Sequence, residues 1–426
     1  MNSESTDNKK YDIVVFGATA FTGKYVVREM LFNSKYNSSV KWAIAGRNLD
    51  KLTFVLEEQK IYLEDNEGIS FSDVEVGLIT ANVNDYQSLL EMAGSTKMII
   101  NIVGPYKIYG KYVVKACVEN GTHHLDLSGE PGFLEEIQLN YSDKALAKNC
   151  YIIGSLGFDS VIADLGLDYC KRNFDGKLLA AESYVYFGGN EQANRPYFHT
   201  GTWNSIINSI KSNNQKELKA TRRKLFSGKM KYDATPLKKK NIHKSTRDRY
   251  ALPFMGSDKS VVQRTLRYNY KNSGENTIQY MPYIEYSHLI VVICLIFMFT
   301  MMYILMLIPG GEYLLKTYPR FFSFGVFSEE GPSEKSIANT YIKMHFKLYG
   351  SSDGSNNVDK IKHTVVSGPN AGYTGTASLV VAAAFTILEE NVKDIKGGVL
   401  TPAVALSNSS YIDRVEKRGF KFSLVE

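Results

Sequence analysis

The sequence predicts an α/β protein: a doubly wound parallel sheet, followed by a second α+β domain whose sheet is largely antiparallel and which carries an inserted apolar segment. Three observations predict it. Short β-branched runs alternate with amphipathic stretches of about ten residues from Tyr11 to Gly154. Longer strand-like runs separated by irregular loops follow Asp159. From Leu289 to Ile308, about 20 residues carry no charge at all.

Residues 1–10, MNSESTDNKK, are polar and are expected to be disordered. In residues 11–154 the runs DIVVF, KWAIA, VEVGLIT, KMIINIV, HHLDLS and YIIGS read as strands, with GKYVVREMLF, NDYQSLLEMA and GKYVVKACVENG as helices between them. Such alternation builds βαβ units with parallel strands. Residues 155–370 form the second domain, where ESYVYFGG, ENTIQYMPYIEY, NTYIKMHFKLYG and NVDKIKHTVVSG read as longer, mostly antiparallel strands. GYTGTASLVVAAAFTILEEN returns to helix and opens a C-terminal segment, 371–426.

Composition narrows the function classes. At 44% hydrophobic and 22% charged residues the chain is that of a folded protein. The N-terminus has no apolar core of a signal peptide, so secretion is not expected, and the Asn-x-Ser triplets at Asn37, Asn140 and Asn408 read as chance matches. Cys117, Cys150, Cys170 and Cys294 are scattered without CxxC spacing or clustered histidines, so neither a disulfide framework nor a metal site is expected. Residues 211–249 hold 14 Lys or Arg against Glu217, Asp233 and Asp248. Such a block serves an anionic membrane surface or stays solvated, and without a recognition motif or interleaved aromatics nucleic acid is not expected.

The chemistry-bearing stretch is FGATAFTG, residues 16–23, between the first strand and the first helix. A dinucleotide needs its pyrophosphate against backbone N–H groups at a helix N-terminus, where the main chain must come close. Gly17 and Gly23 supply the outer positions, Ala20 replaces the usual middle glycine, and Thr19, Phe21 and Thr22 complete the turn. At the end of the second strand an acid would bond the ribose 2′-hydroxyl of NAD, but the chain has Gly46 and Arg47, whose guanidinium suits a 2′-phosphate. NADP is therefore favoured over NAD. Asn101 and Gly104, in NIVGPYKIYG, fall at the carboxyl end of the sheet, where such folds bind ligands. A proton donor is also needed there; Tyr106 and Asp126 are the candidates, with His124 a third on the aspartate's face of its strand. Asp159 or Ser160, in GFDS, is expected to cap the next helix.

VVFGATAFTG, WAIAGRN, NIVGPY, DLSGE and IIGSLGFDS, followed by PFMGSDKSVV, FFSFGVFS and GGVLTPAVAL, together resemble the saccharopine dehydrogenase-like oxidoreductases of animals over nearly the whole chain. The resemblance implies a Rossmann domain, a substrate or dimerisation domain allowing a homodimer, and a C-terminal stretch that packs back on the first domain. It implies association with lipid droplets and mitochondria. The chain is also similar to bacterial trans-acting enoyl reductases, which act on long acyl chains in glycolipid synthesis. With the apolar segment this points to a lipophilic carbonyl, imine or enoyl substrate at a lipid-droplet surface or the cytosolic face of a membrane such as the endoplasmic reticulum. If residues beyond Thr376 return to the first domain, a single spanning helix would strand them across the bilayer, so insertion from one side near Pro309-Gly310-Gly311 is expected. The rival reading is a cofactor-binding scaffold or lipid-binding protein without turnover.

Overall fold

A computed structural model describes residues 9–425 except 38, 72, 73, 191, 192, 227, 229, 236, 276, 391, 393 and 394, and for 212 and 213 the backbone only is described. Most of the polar N-terminus, residues 1–8, lies outside the described residues.

The six predicted strands of the first domain form at β1 (Tyr11–Phe16), β2 (Trp42–Gly46), β3 (Gly77–Thr80), β4 (Thr96–Asn101), β5 (His123–Asp126) and β6 (Tyr151–Ile153). Their near-continuous apolar runs fit a sheet buried on both faces by helices; every residue of β2 is buried. The remaining strands are β7 (Lys177–Gly189), β8 (Phe198–His199), β9 (His243–Lys244), β10 (Tyr250–Pro253), β11 (Gln279–Tyr286), β12 (Phe327–Ser328), β13 (Thr340–Ser351), β14 (Lys360–Gly368), β15 (Gly398–Leu400) and β16 (Lys421–Val425).

The first sheet runs β15-β6-β5-β4-β1-β2-β3, all parallel, with the order reversing between β1 and β4. That reversal opens a crevice at the carboxyl ends, where this architecture takes ligands. The second sheet runs β16-β14-β13-β7-β11-β10-β9. It is antiparallel except for the β7–β11 pair, which is parallel. On β13 the alternation is plain: Ile342, Met344, Phe346 and Leu348 are buried, whereas Lys343, His345 and Lys347 stand on the other face.

The C-terminal segment touches both sheets. Its helix Thr374–Glu390 is buried almost throughout, β15 extends the first sheet beyond β6, and β16 pairs with β14 of the second. Between the domains Arg28 makes paired bonds of 2.9 and 3.1 Å to Glu334, which also accepts from the Tyr25 hydroxyl.

The helix Leu289–Met306 is long and apolar enough to cross a membrane, yet only 17% of it is buried. One stripe, including Met298 and Met302, packs on Trp203, Ile207, Leu315 and Phe327. Ile290, Ile293, Phe297, Tyr303, Ile304 and Leu307 face outward, and the exposed apolar surface continues through Tyr313, Tyr318 and Phe321. Part of the basic block is spent on the fold: Arg222 holds buried Glu135, Lys240 buried Glu182 and Arg247 buried Glu285, at 2.9, 2.6 and 2.6 Å. Buried carboxylates need such partners, so the charge run is not simply solvated.

Candidate functional site

The turn after β1 is built for close approach. Gly17 has a φ of +91°, and a Cβ there would sit 2.8 Å from Val103 Cγ2. At Gly23 a Cβ would fall 2.6 Å from the Ala18 carbonyl oxygen, so only glycine lets the helix start this near the strand. Ala20 is the N-cap of helix Phe21–Tyr36 and offers no side-chain acceptor. The first N–H groups of this 16-residue helix are thus left for something else. Thr19 is exposed and Thr22 partly so, at the same mouth.

Arg47 is exposed directly beyond β2. A Cβ on the preceding Gly46 would lie 3.9 Å from Thr19 Oγ1, so Arg47 stands beside the glycine turn. The next residue, Asn48, is committed to capping helix Leu49–Glu67 through Lys51 N–H at 2.8 Å. An uncapped helix start, a cradle that a Cβ would fill and an exposed guanidinium alongside fit a dinucleotide with a 2′-phosphate.

Other expected residues have structural duties. Phe21 turns its ring away from the turn to stack on His199 at 5.0 Å and to meet Tyr373 edge-on at 4.8 Å, so its contribution to the turn is backbone only. The Asn101 side chain folds back to accept from Val103 N–H at 3.0 Å and lies 3.4 Å from His124 Nε2. Gly104 is exposed in the loop that follows. The Tyr106 hydroxyl is buried, donating to the Asn101 carbonyl at 3.1 Å, and burial holds it well above the usual phenol range. Asp126 is buried and accepts from Ser128 and Ser155 N–H at 2.8 and 3.2 Å; burial pushes its carboxyl up to about 7. His124 Nδ1 lies 3.7 Å from Asp126, but burial pushes the imidazole down to about 3, so the two form no ion pair at neutral pH.

Glu130 is a residue whose role the sequence did not disclose. Its two oxygens accept from the N–H groups of Tyr106 and Lys107 at 3.0 Å each, filling the start of helix Tyr106–Glu119 with the chain's own anion. Of these two helix starts at the crevice, only Phe21–Tyr36 is left open.

Asp159 does not cap as expected. Helix Phe158–Arg172 begins at Gly157 without a side-chain cap, and Asp159 and Ser160 depart from helical angles, Ser160 with a φ of +86°. Ser160 Oγ instead meets Ser257 Oγ at 2.7 Å and Asp258 at 3.2 Å. The Asp159 carboxylate, partly accessible, faces Gly129 in the loop after β5, where a Cβ would lie 2.8 Å from its Oδ2. Desolvation pushes it up to about 7. Among the described residues it makes no side-chain hydrogen bond, leaving a carboxyl at the carboxyl edge of the sheet that can exchange a proton near neutrality.

Residues 13–153 match the family model of the saccharopine dehydrogenase NADP binding domain. Over 432 residues the chain is 38% identical to human saccharopine dehydrogenase-like oxidoreductase, covering 99% of both chains. It belongs to the saccharopine dehydrogenase-like oxidoreductases. Another relative, 34% identical over 427 residues and covering 97% of this chain and 98% of its own, is the Caenorhabditis elegans lipid droplet localized protein. Among solved structures, apo saccharopine dehydrogenase (L-Glu forming) from Saccharomyces cerevisiae superposes with a TM-score of 0.54 at 14% identity, over 98% of this chain and 100% of that one. The last likeness shows the shared fold. Family membership makes the first domain an NADP-type binding domain, in agreement with the open helix start.

The second domain closes over this site through helix Thr200–Ile210. His199, its N-cap, stacks on Phe21, and Ser205 donates to Glu130 at 3.0 Å. Trp203 and Ile207 face the apolar helix Leu289–Met306. A single helix therefore separates the crevice of this oxidoreductase from its exposed apolar surface.

Proposed function

We propose that the protein is an NADPH-preferring oxidoreductase seated at a lipid surface, acting on an apolar carbonyl, imine or enoyl substrate. The observation that carries the reading is the uncapped start of helix Phe21–Tyr36 beside Arg47, which is exposed and has no ion-pair partner among the described residues. Gly17, Ala20, Gly23, Thr19 and Thr22 would hold the pyrophosphate and Arg47 the 2′-phosphate. The nicotinamide, when bound, supplies the hydride chemistry. Asp159 supplies the proton; Tyr106 and Asp126 keep the carboxyl ends of β4 and β5 in register around it. The name of the nematode relative and the outward apolar face of Leu289–Met306 support a lipid-droplet monolayer as the seat. Because that helix is held along one side by Trp203 and Ile207, insertion from one side is the geometry the packing favours.

Parallel fluorescence titrations with NADPH and NADH test the cofactor reading. Arg47→Ala should weaken NADPH binding by roughly 10- to 100-fold, the worth of a charge-assisted contact, and leave NADH binding unchanged. Equal losses for both would remove the 2′-phosphate assignment. A scaffold without turnover is the second reading, favoured by the internal commitment of Tyr106 and Asp126. Tight NADPH binding with no acceptor-dependent oxidation across a panel of apolar aldehydes, imines and enoyl esters would establish it.

A further inference from the structure

The face of the second sheet that carries Lys343 and His345 is partly roofed by the loop between β9 and β10, and under that roof is a cavity of about 210 Å³. Tyr186 from β7, Glu285 from β11, Tyr341, Lys343 and His345 from β13, and Arg247 and Arg249 from the loop line it. The charges do not balance. Glu285 is buried and its pair, at 2.6 Å, is Arg247. The Arg249 guanidinium lies over the Tyr186 ring, 3.7 Å from its centre, tethered to the Ser287 hydroxyl at 3.0 Å, and Lys343 is exposed beside Tyr341. Neither has a carboxylate partner among the described residues, so the cavity holds two uncompensated cations. His345 registers the field: burial first, then Arg247, Lys343 and Arg249, pushes it down to about 3.

Position supplies the second argument. Glu285 and Tyr286 end β11, and three residues later Leu289 starts the exposed apolar helix. Glu285, which lines the cavity, is four residues from Leu289, and four residues span at most about 14 Å, so the cationic cavity sits near the foot of that helix. A helix lying in a monolayer has its base at the level of the phosphates.

We propose that this cavity binds a phosphate-bearing anion, Arg249 and Lys343 contacting its oxygens, and that the natural source is the headgroup of an anionic phospholipid at the surface where the helix inserts. The proposal rests on the reading of Leu289–Met306 as lipid-inserting, and the experiment separates the two. Flotation of the full chain is measured with vesicles of phosphatidylcholine alone and of phosphatidylcholine with phosphatidic acid, for the wild type and for Arg249→Ala/Lys343→Ala. NADPH titration checks the fold of each variant; Lys343→Glu, on an exposed side chain, serves if the double variant misfolds.

The expected result is that phosphatidic acid strengthens wild-type binding at least tenfold, that the variants lose this increment, and that binding to phosphatidylcholine is unchanged. Failure to float with either vesicle would refute helix insertion while leaving the cavity to be judged by soluble ligand. Inorganic phosphate or glycerol phosphate that raises the Tm of the wild type but not of the variants would then assign the cavity to a soluble phosphate. Equal flotation of wild type and variants on both vesicles, with no effect of phosphate on Tm, would overturn the proposal. So would loss of self-association in the variants without loss of the phosphatidic-acid increment, which would make the cavity an interface between copies.

Discussion

Asp159 shows how little a residue's type says about its work. As a short acid before a helical run it reads as a cap, but the chain turns through a left-handed Ser160 and leaves the carboxyl facing Gly129, pushed up to about 7. Positive φ at a non-glycine residue is costly and gathers at functional sites. If Asp159 delivers the proton during reduction, the rate should be level below about pH 7 and fall roughly tenfold per unit above it. Asp159→Asn should lower turnover by about 10² or more with NADPH affinity intact; an unchanged pH profile in the variant would exclude the role. The stability effect has a definite sign. A carboxyl raised by burial favours the folded state while protonated, so stability declines as pH rises from the ordinary carboxylate range through 7. Asp159→Asn should therefore flatten part of the fall in Tm between pH 5 and 8, the remainder belonging in part to Asp126, which is pushed up to the same value. Of the turn residues, Gly17, Gly23 and Arg47 were legible because a spacing demands them. Phe21 and Asn101 were not, because their side chains answer to His199, Tyr373 and His124, partners far away in sequence.

At the scale of elements, the apolar helix was legible as an apolar helix and no further. Composition cannot distinguish a spanning segment from one fastened along its side. The stripe through Met298 and Met302, which packs in one cluster with Trp203 and Ile207, is what supports the proposed insertion from one side. Removing the whole segment would uncover that cluster, so outward residues are the proper probe. Replacing Ile293, Phe297 and Ile304 by Gln removes about 1.5–3 kcal/mol of apolar transfer at each site at most, and flotation with lipid should weaken at least 100-fold. The fold and NADPH binding should survive, since all three are more than half exposed; undiminished flotation would refute insertion through this face. The basic block teaches the converse. Read alone it is a charged run, but Arg222, Lys240 and Arg247 answer buried Glu135, Glu182 and Glu285, each far from it in sequence or on a different element.

For the whole molecule, helix Thr200–Ile210 is the joint. It meets the glycine turn through His199, the crevice through Ser205 and Glu130, and the apolar helix through Trp203, whose indole N–H donates to the Leu315 carbonyl at 2.8 Å. On the proposed reading, this arrangement would set the crevice one helix away from the surface that carries the substrate. Trp203→Ala should cost about 3–5 kcal/mol, read as a lowered denaturant midpoint. A loss below about 1 kcal/mol would mean that the apolar helix is not part of the cooperative core. A homodimer remains a proposal at this scale, to be read by light scattering in detergent.

The sequence by itself determined what local pattern can encode: the parallel strands of the first domain, the glycine turn after β1, the arginine after β2, and an apolar stretch without charge. Each depends on spacing of a few residues, on backbone sterics, or on the length a hydrocarbon layer requires. Tertiary structure alone decided which helix start stays open, which carboxyl has no side-chain hydrogen bond among the described residues, which side of the apolar helix is covered, and where the surplus cations of the second sheet converge. Those outcomes depend on desolvation and on pairs such as Tyr106–Glu130, Ser160–Asp258 and Arg247–Glu285. Burial and partnership belong to the assembled chain, because no residue is desolvated until the elements around it have packed.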